Sequence, residues 1–349
     1  MRQISKLQYI TTSAALAEQA CMGGVDWVQL RLKDVSYDEY FRVGKEVQAV
    51  CKKYDATFII NDDIKLALDL DADGVHVGKE DPLPQNYIDE MLGKGGIIGC
   101  TANTIADFEH LQGKPVSYIG LGPYRFTETK KKLSPVLGFD GYRKLFAQLR
   151  TRQITPPPVV GIGGITVDDV SVLMTTGLHG IAVSGAISGA PDVKEAAGRF
   201  IDVLNPSNKV IRKTIAVNAS TSKVWKTITE PALIRAWLFD TPVDVVSDWK
   251  VGGSMVFKGM FHNKPYEDKG TILKYEPEAL FSYNYWSKLS TLPDEPGNYS
   301  VIEFRLHPIG DQTEVTLTQS NFMLDTMYRH FNFYWTLTMD RLKKKIEKA

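Results

Sequence analysis

Eight short runs of apolar and β-branched residues recur through the first 204 residues of the chain, each followed by a longer amphipathic stretch. Runs of this kind, bounded by Gly, Asn or Asp, are typical of strands that are buried on both faces of a parallel sheet. They begin at Leu7 (LQYIT), Trp27 (WVQLRL), Thr57 (TFII), Gly74 (GVHVG), Gly96 (GIIGC), Tyr118 (YIGLG), Val159 (VVGIGG) and Gly180 (GIAVSG).

The stretches between these runs have helical character. In SYDEYFRVGKEVQAVCKKY, Ser36 is suited to be the N-cap and Glu39 to complete a capping box. Eight strands that alternate with helical segments predict a parallel sheet, and within about 200 residues the compact form is a (β/α)₈ TIM barrel. The alternative, an open doubly wound sheet, would carry a glycine fingerprint after its first strand, where this chain reads ITTSAAL. The barrel is therefore the predicted fold of residues 1–204.

The pattern of predicted strands and helices changes after residue 204. Residues 205–209, NPSNK, have the composition of a linker, and residues 210–349 are predicted to form a second domain. Six further strand-like runs there are separated by turn signals, and a long amphipathic helix from about Met323 to Lys348 closes the chain. This pattern predicts an α+β domain with an antiparallel sheet.

Composition excludes several classes of partner. The chain has 41 basic and 41 acidic residues and a formal net charge of +0, so no global field attracts nucleic acid or an anionic membrane. No apolar run approaches the ~18 residues of a membrane span, and the N-terminus lacks the apolar core of a secretion signal. Cys21, Cys51 and Cys100 fit no metal-site spacing and are expected to be buried free thiols. We expect a cytoplasmic protein, with a homo-oligomer compatible with the sequence.

Polar residues follow the predicted strands of the first domain. The active site of a TIM barrel lies at the C-terminal ends of its strands, so these residues are candidates for one site. In strand order they are Gln29, Arg31 and Lys33; Asn61, Asp62 and Asp63; Asp81; Thr101; Thr127, Thr129 and Lys130; Gly163 and Gly164; and Ser184 and Gly185.

The chemistry of these side chains is coherent. Asp62 and Asp81 are hard oxygen ligands of the kind that suits Mg²⁺. Arg31, Lys33 and Lys130 supply the positive charge that a departing pyrophosphate requires. Glycines after the last two strands mark the usual phosphate site of this fold. A helix cap, a solvated lysine run or a tight turn would explain each motif singly, but their joint placement predicts the joining of a diphosphate-activated fragment to a second phosphorylated one.

The segments that carry these residues resemble the signatures of thiamine-phosphate synthases over residues 4–204. They are QLRLKD, INDDIKLALDLDADGVHVGKED, IIGCTANT, YIGLGPYRFTETKKK, VVGIGGI and GIAVSGAI, in this order. The resemblance implies a barrel enzyme that joins 4-amino-2-methyl-5-hydroxymethylpyrimidine diphosphate to a thiazole phosphate and releases pyrophosphate. Thiazole tautomerases share the fold but expel no diphosphate, so the acidic pair and Lys130 favour the synthase. A non-catalytic regulatory protein that binds thiamine precursors is the other alternative.

The same resemblance implies a role for each candidate residue, with no protein nucleophile. Arg31, Lys33 and Lys130 would be the catalytic charges. The implied contacts are Asp62 and Asp81 with Mg²⁺; Gln29 and Asn61 with the aminopyrimidine and its diphosphate; Arg31, Lys33, Thr101 and Lys130 with the diphosphate; and Thr127, Thr129, Gly164, Ser184 and Gly185 with the thiazole phosphate.

The chain departs from the pattern of this family in three places. Thr101 stands where serine is more common and keeps the hydroxyl. Ser184-Gly185 replaces a more usual Ile-Ser pair, so a backbone contact to phosphate is expected to survive without the side-chain contact. Arg125-Phe126 replaces an aromatic-Pro pair, from which a less rigid loop is expected.

The tail resembles the START-like (SRPBCC) superfamily, closest to the branch named after activators of a heat-shock-protein ATPase. The resemblance rests on KTIAVNASTSKVWKTITEPALIRAWL, DWKVGGSMVF, YEDKGTILKYEPEALFSYNYW and FYWTLTMDRLKK, and it implies a helix-grip fold. Five of the six tryptophans lie here, which fits either an apolar ligand cavity or a packed aromatic core. The tail shows no catalytic constellation, and its expected partner is an apolar ligand or a protein.

Overall fold

The computed structural model describes residues 4–79, 84–126, 135–239, 243–261, 263–290 and 292–348. The chain divides into two compact units, Met1–Leu204 and Asn205–Ala349.

The first unit is a closed barrel of eight parallel strands in chain order, in which the first strand pairs with both the second and the eighth. This closure confirms the predicted TIM barrel and rules out the open doubly wound sheet. The strands are β1 (Leu7–Thr11), β2 (Trp27–Leu30), β3 (Thr57–Asn61), β4 (Gly74–Val77), β5 (Ile97–Ala102), β6 (Tyr118–Leu121), β7 (Val159–Ile162) and β8 (Gly180–Val183).

Helices follow the strands. They are α1 (Ala14–Met22), α2 (Tyr37–Lys53), α3 (Ile64–Asp69), α4 (Gln85–Gly93), α5 (Ile105–Leu111), α6 (Gly138–Thr151), α7 (Val167–Met174), α8 (Gly185–Ser188) and α9 (Val193–Leu204). Ser36 caps α2 as predicted, since its side chain accepts the N–H of Glu39. The Glu39 carboxylate pairs with Arg42 rather than completing a capping box.

Side-chain alternation divides the barrel into two apolar layers. One face of each strand packs against the helices, and the other fills the interior, where Trp27, Ile59, Ile97 and Val160 form a separate apolar cluster. The free thiols of Cys21, Cys51 and Cys100 are buried as expected, and burial raises the pKa of Cys21 and Cys100 to about 11.

The second unit is an antiparallel sheet of seven strands, in which the first strand of the unit lies at one edge beside the last strand and the others follow in chain order. Its long helix α12 begins at Asp325, two residues later than predicted, and ends at Lys348. The other elements are β9 (Ile211–Val217), α10 (Thr221–Thr229), α11 (Pro231–Ile234), β10 (Val243–Ser247), β11 (Ser254–Phe261), β12 (Lys264–Glu276), β13 (Leu280–Tyr285), β14 (Ser300–Ile309) and β15 (Gln312–Ser320). The arrangement confirms the predicted helix-grip domain.

Aromatic packing dominates the core of this second unit. Trp335 on α12 meets Phe304 edge to face at 5.9 Å between ring centroids, and Phe304 meets Trp237 at 6.0 Å. Trp237, Phe304 and Trp335 are each at most 2 % exposed. These three side chains form part of a packed aromatic core, which is one of the two interpretations that the sequence allowed. Throughout the described ranges, no helix combines the length and the apolar character that crossing a bilayer demands.

Candidate functional site

Three of the predicted site residues lie near the C-terminal ends of three strands of the barrel. Gln29 on β2 and Asn61 on β3 are buried, and Thr101 on β5 is half-buried. Asn61 is the register partner of His76 on β4, which in turn pairs with Gly99 on β5. Alternation along each strand directs one residue in two into the barrel. The strands therefore bring these residues to one end of the barrel interior.

A chain of hydrogen bonds crosses this interior. The Gln29 amide donates to Gln8 Oε1 at 3.3 Å, and the Gln8 amide donates to the Tyr118 hydroxyl at 2.9 Å. The same hydroxyl lies 3.0 Å from His76 Nδ1, and His76 Nε2 lies 3.1 Å from Thr101 Oγ1. The network thus joins two predicted substrate contacts, Gln29 and Thr101, through three residues that the sequence analysis did not select.

Tyr118 and His76 form the centre of this network. Burial raises the pKa of Tyr118 far above its ordinary value, so its hydroxyl keeps its proton. The Tyr118 hydroxyl, which accepts from Gln8, also lies against Nδ1 of His76, and Nε2 of the same ring faces Thr101. The direction of the two bonds on either side of His76 is set by which ring nitrogen carries the proton.

Two glycines make room for the rings of this network. A Cβ atom at Gly99 would overlap the ring of Tyr118, and one at Gly120 would lie 3.0 Å from Cε1 of His76. Tyr118 is fully buried and His76 is 9 % exposed, so neither ring has space into which to retreat. The barrel interior is therefore shaped around Tyr118 and His76 at these positions.

The three consecutive residues Asn61, Asp62 and Asp63 have different environments. Asn61 ends β3 with a buried side chain, whereas Asp62 has φ 68° and an exposed side chain at the rim. The N–H of Asp62 donates to the carbonyl of His76 at 2.7 Å, which fixes the turn against β4. Asp63 caps α3 by accepting the N–H of Leu66 at 2.8 Å. Asp63 is therefore explained as a helix cap, whereas Asp62 does not cap the helix and lies at the rim of the barrel.

The basic residues after β2 lie in a loop. The strand ends at Leu30, earlier than the predicted run to Leu32, so Arg31 and Lys33 lie beyond its end. The N–H of Arg31 still donates to the carbonyl of Thr11 at 2.9 Å, so its backbone continues the edge of β1. Arg31 is half-buried and Lys33 is exposed.

The ends of β7 and β8 present backbone rather than side chains. Gly163 and Gly164 have φ of 102° and 65°, a left-handed pair that favours glycine. Ser184 is the N-cap of α8, and Gly185 begins that helix with no atom within 4 Å of where a Cβ would stand. Both turns are accessible for a close approach to phosphate.

Four predicted residues, Asp81, Thr127, Thr129 and Lys130, lie outside the described residues. Of the acidic pair, the structure therefore describes Asp62. Within the described ranges, no group of three or more His, Cys, Asp or Glu side chains is arranged to hold a metal ion.

A closed parallel barrel with acidic, basic and glycine-rich turns at the C-terminal ends of its strands defines a (β/α)₈-barrel enzyme. The sequence model of the family described as "Thiamine monophosphate synthase" matches residues 4–187. The chain belongs to that family.

Individual relatives agree over the same half of the chain. A thiamine-phosphate synthase of Phocaeicola vulgatus is 48% identical over 187 residues, covering 54% of this chain and 89% of the relative. One from Bacteroides fragilis is 44% identical over 187 residues, covering 54% of this chain and 91% of the relative. A solved thiamine phosphate pyrophosphorylase from Pyrococcus furiosus is 31% identical, with a TM-score of 0.49, and covers 56% of this chain and 94% of its own.

The tail matches a second family. The model described as "Activator of Hsp90 ATPase homolog 1-like protein" matches residues 218–347, in agreement with the expected resemblance. A solution structure from Cytophaga hutchinsonii is 35% identical, with a TM-score of 0.37, and covers 40% of this chain and 95% of its own.

Proposed function

We propose that residues 4–204 catalyse the joining of 4-amino-2-methyl-5-hydroxymethylpyrimidine diphosphate to a thiazole phosphate, yielding thiamine phosphate and pyrophosphate. The observation that carries this proposal is membership of the thiamine monophosphate synthase family over residues 4–187, including every candidate position at the strand ends. The acidic and basic residues at those ends favour a reaction that expels a diphosphate over a tautomerase or a sensor.

The buried network is proposed to recognise the aminopyrimidine through hydrogen bonds. Gln29 and Asn61 present amide groups inside the barrel, where a heteroaromatic amine finds both donors and acceptors. Thr101, whose hydroxyl lies 3.1 Å from His76 Nε2, is proposed to contact the diphosphate. Because Gln29 and Thr101 are linked through Gln8, Tyr118 and His76, ring and diphosphate recognition share one set of hydrogen bonds.

The leaving group is proposed to be held by Arg31, Lys33 and Lys130 together with Mg²⁺. The exposed carboxylate of Asp62 at the barrel rim is chemically suited to this ion, and Asp81 is proposed as its second ligand. When bound, the ion neutralises charge on the departing pyrophosphate. The basic side chains hold the diphosphate oxygens, so the electron-rich pyrimidine can release the C–O bond ahead of attack by the thiazole nitrogen.

The thiazole phosphate is proposed to rest on the turns after β7 and β8. Gly164 and Gly185 allow backbone N–H groups to approach it closely, while Thr127 and Thr129 add hydroxyl donors. Ser184 is proposed to contribute through its backbone. The enzyme thus works by positioning two phosphorylated substrates, and no covalent intermediate with the protein is required.

The tail is proposed to modulate the barrel by binding an apolar ligand or a protein. Support comes from its helix-grip architecture. A cytoplasmic location also stays a prediction, as does a homo-oligomer.

The proposal is tested by incubating the purified full chain with both phosphorylated precursors and Mg²⁺ and measuring thiamine phosphate. Product is expected with both substrates and the metal, and none when the pyrimidine diphosphate or Mg²⁺ is omitted. A chain that binds both precursors but forms no product would instead support a regulatory role.

A further inference from the structure

Arg125, four residues beyond the end of β6, is locked into a bidentate ion pair with a residue of α7. Its Nη1 and Nη2 atoms each lie 2.5 Å from one carboxylate oxygen of Asp169. The Asp169 side chain is 10% exposed and that of Arg125 is 48% exposed. Although burial acts to raise it, hydrogen bonds from Arg125 and Thr166 hold the pKa of Asp169 at about 2. Paired bonds of this kind fix orientation as well as charge.

The carboxylate partner is itself immobilised. The N–H and Oγ1 of Thr166 donate to Asp169 Oδ2 at 2.8 and 2.7 Å, in the capping box that begins α7. The Tyr124 hydroxyl donates to Asp169 Oδ1 at 3.3 Å, and the Arg125 guanidinium lies 4.7 Å from the centroid of the Tyr124 ring. Arg125 is therefore held on its charged end and on one flat face.

From this position Arg125 holds two consecutive peptide groups of the turn after β7. Its backbone N–H donates to the carbonyl of Gly163 at 2.9 Å, and its Nη1 donates to the carbonyl of Gly164 at 3.0 Å. In a trans peptide plane the C=O and the following N–H point in opposite directions. Anchoring these carbonyls therefore turns the N–H groups of Gly164 and Ile165 away from Arg125.

This turn needs an external constraint because glycine has little conformational preference of its own. Gly163 and Gly164 both have left-handed φ, and without Cβ atoms they populate many other conformations at small cost. Preorganised N–H donors bind an anion more tightly because their orientation costs nothing at the moment of binding.

We propose that Arg125 is a positioning residue that presets the Gly163–Gly164 turn to donate its backbone N–H groups to the phosphate of the thiazole substrate. The proposal rests on the proposed function for the identity of that substrate. Asp169 takes up the charge of Arg125, so the contribution of Arg125 is orientation of the turn. The aromatic-Pro pair expected here from the family pattern would give rigidity through its ring, whereas this chain uses an ion pair to the first turn of α7.

The test compares Arg125→Gln and Asp169→Asn with the matched control Arg152→Gln. Arg152 is 47% exposed and pairs with Glu109 between α5 and the end of α6, away from both glycine turns. Arg125→Gln is expected to raise the KM for the thiazole phosphate about tenfold, since a hydrogen bond to a charged group is generally worth that much or more. The KM for the pyrimidine diphosphate and kcat should stay close to those of the wild type. Asp169→Asn, whose amide oxygen can still accept the N–H of Thr166 at the start of α7, should give the same selective effect.

A binding measurement separates this inference from the proposed function. Calorimetric titration with the thiazole phosphate alone should show weaker binding to Arg125→Gln than to the wild type and to Arg152→Gln. Hydrogen exchange at residues 163–165 should be faster in the same variant. If the wild type forms no product, the proposed function fails while this comparison still decides the inference. Equal effects on both substrates, or unchanged thiazole-phosphate affinity in both variants, would overturn the positioning role, and so would melting-temperature loss without an affinity change.

Discussion

At the residue scale, the packing of the barrel interior depends on the lack of a side chain at Gly99. A methyl group there would overlap the buried Tyr118 ring, which links Gln8 to His76. Gly99→Ala is therefore expected to destabilise the barrel by about 1–3 kcal/mol, the usual cost of overpacking, and to raise the KM for the pyrimidine diphosphate. Denaturant unfolding and steady-state kinetics measure the two effects.

The control is Gly93→Ala, at the end of α4, where no atom lies within 4 Å of the added carbon. That variant should be neutral or slightly more stable, because alanine favours helix. Equal stability of the two variants would contradict the close packing of Tyr118.

The Arg125–Asp169 pair predicts a pH-dependent contribution to stability. The pKa of Asp169 is about 2 in the folded protein, below the ordinary aspartate value of 3.8. A depressed carboxylate pKa stabilises the fold above the unfolded-state pKa, and that stabilisation is lost as pH falls through the folded-state value. The melting temperature of Asp169→Asn should therefore lie below that of the wild type at pH 5 to 7, about one pKa unit or more above the unfolded value.

The difference in melting temperature between the wild type and Asp169→Asn should narrow as the pH falls from about 4 toward 2, because the wild-type carboxylate becomes protonated. Thermal melts across that range measure it. A gap that stays constant down to the lowest pH at which both proteins fold would show that the ion pair does not stabilise the fold.

At the element scale, the end of β3 places the proposed metal ligand Asp62 directly before the helix cap Asp63. Asp62→Asn keeps the left-handed backbone, which asparagine tolerates, but removes the charge proposed to bind Mg²⁺. Turnover is expected to fall about a hundredfold, as is usual for loss of one charge-stabilising contact, and the Mg²⁺ concentration for half-maximal rate should rise. Metal titrations of the rate measure both effects.

The neighbouring variant Asp63→Asn is the control, since asparagine caps a helix as well as aspartate does. It should keep nearly normal turnover and metal dependence. If the two variants behaved alike, the rim position of Asp62 would carry no special role.

The elements of the barrel were predictable because strand and helix periods differ and each strand run is short and apolar. The buried network could not be predicted from the sequence. Two of its members were nevertheless noticeable, because Gln8 and His76 are polar residues within the apolar runs LQYIT and GVHVG. The partners within this network come from five different strands, and sequence spacing does not encode such contacts. The same holds for Arg125 and Asp169, which lie 44 residues apart and meet because β6 and β7 are neighbours.

At the scale of the whole molecule, the two units are predicted to fold independently. Each has its own apolar core, and the barrel closes with its own eight strands. A chain of residues 1–208 should therefore be soluble and active, with at most a modest loss of melting temperature. Expression of that piece, compared with the full chain in turnover and thermal unfolding, measures this independence. An inactive barrel that regains activity when residues 209–349 are added separately would contradict it.

This barrel is proposed to join two phosphorylated precursors and to expel pyrophosphate. The most direct test of this proposal is the simultaneous measurement of thiamine phosphate and pyrophosphate formed by the full chain from both precursors and Mg²⁺, alongside Asp62→Asn. The wild type should form the two products in equal amounts, and the variant should form both much more slowly and in the same ratio. Pyrophosphate release without thiamine phosphate, or no reaction while both precursors bind, would contradict the assignment.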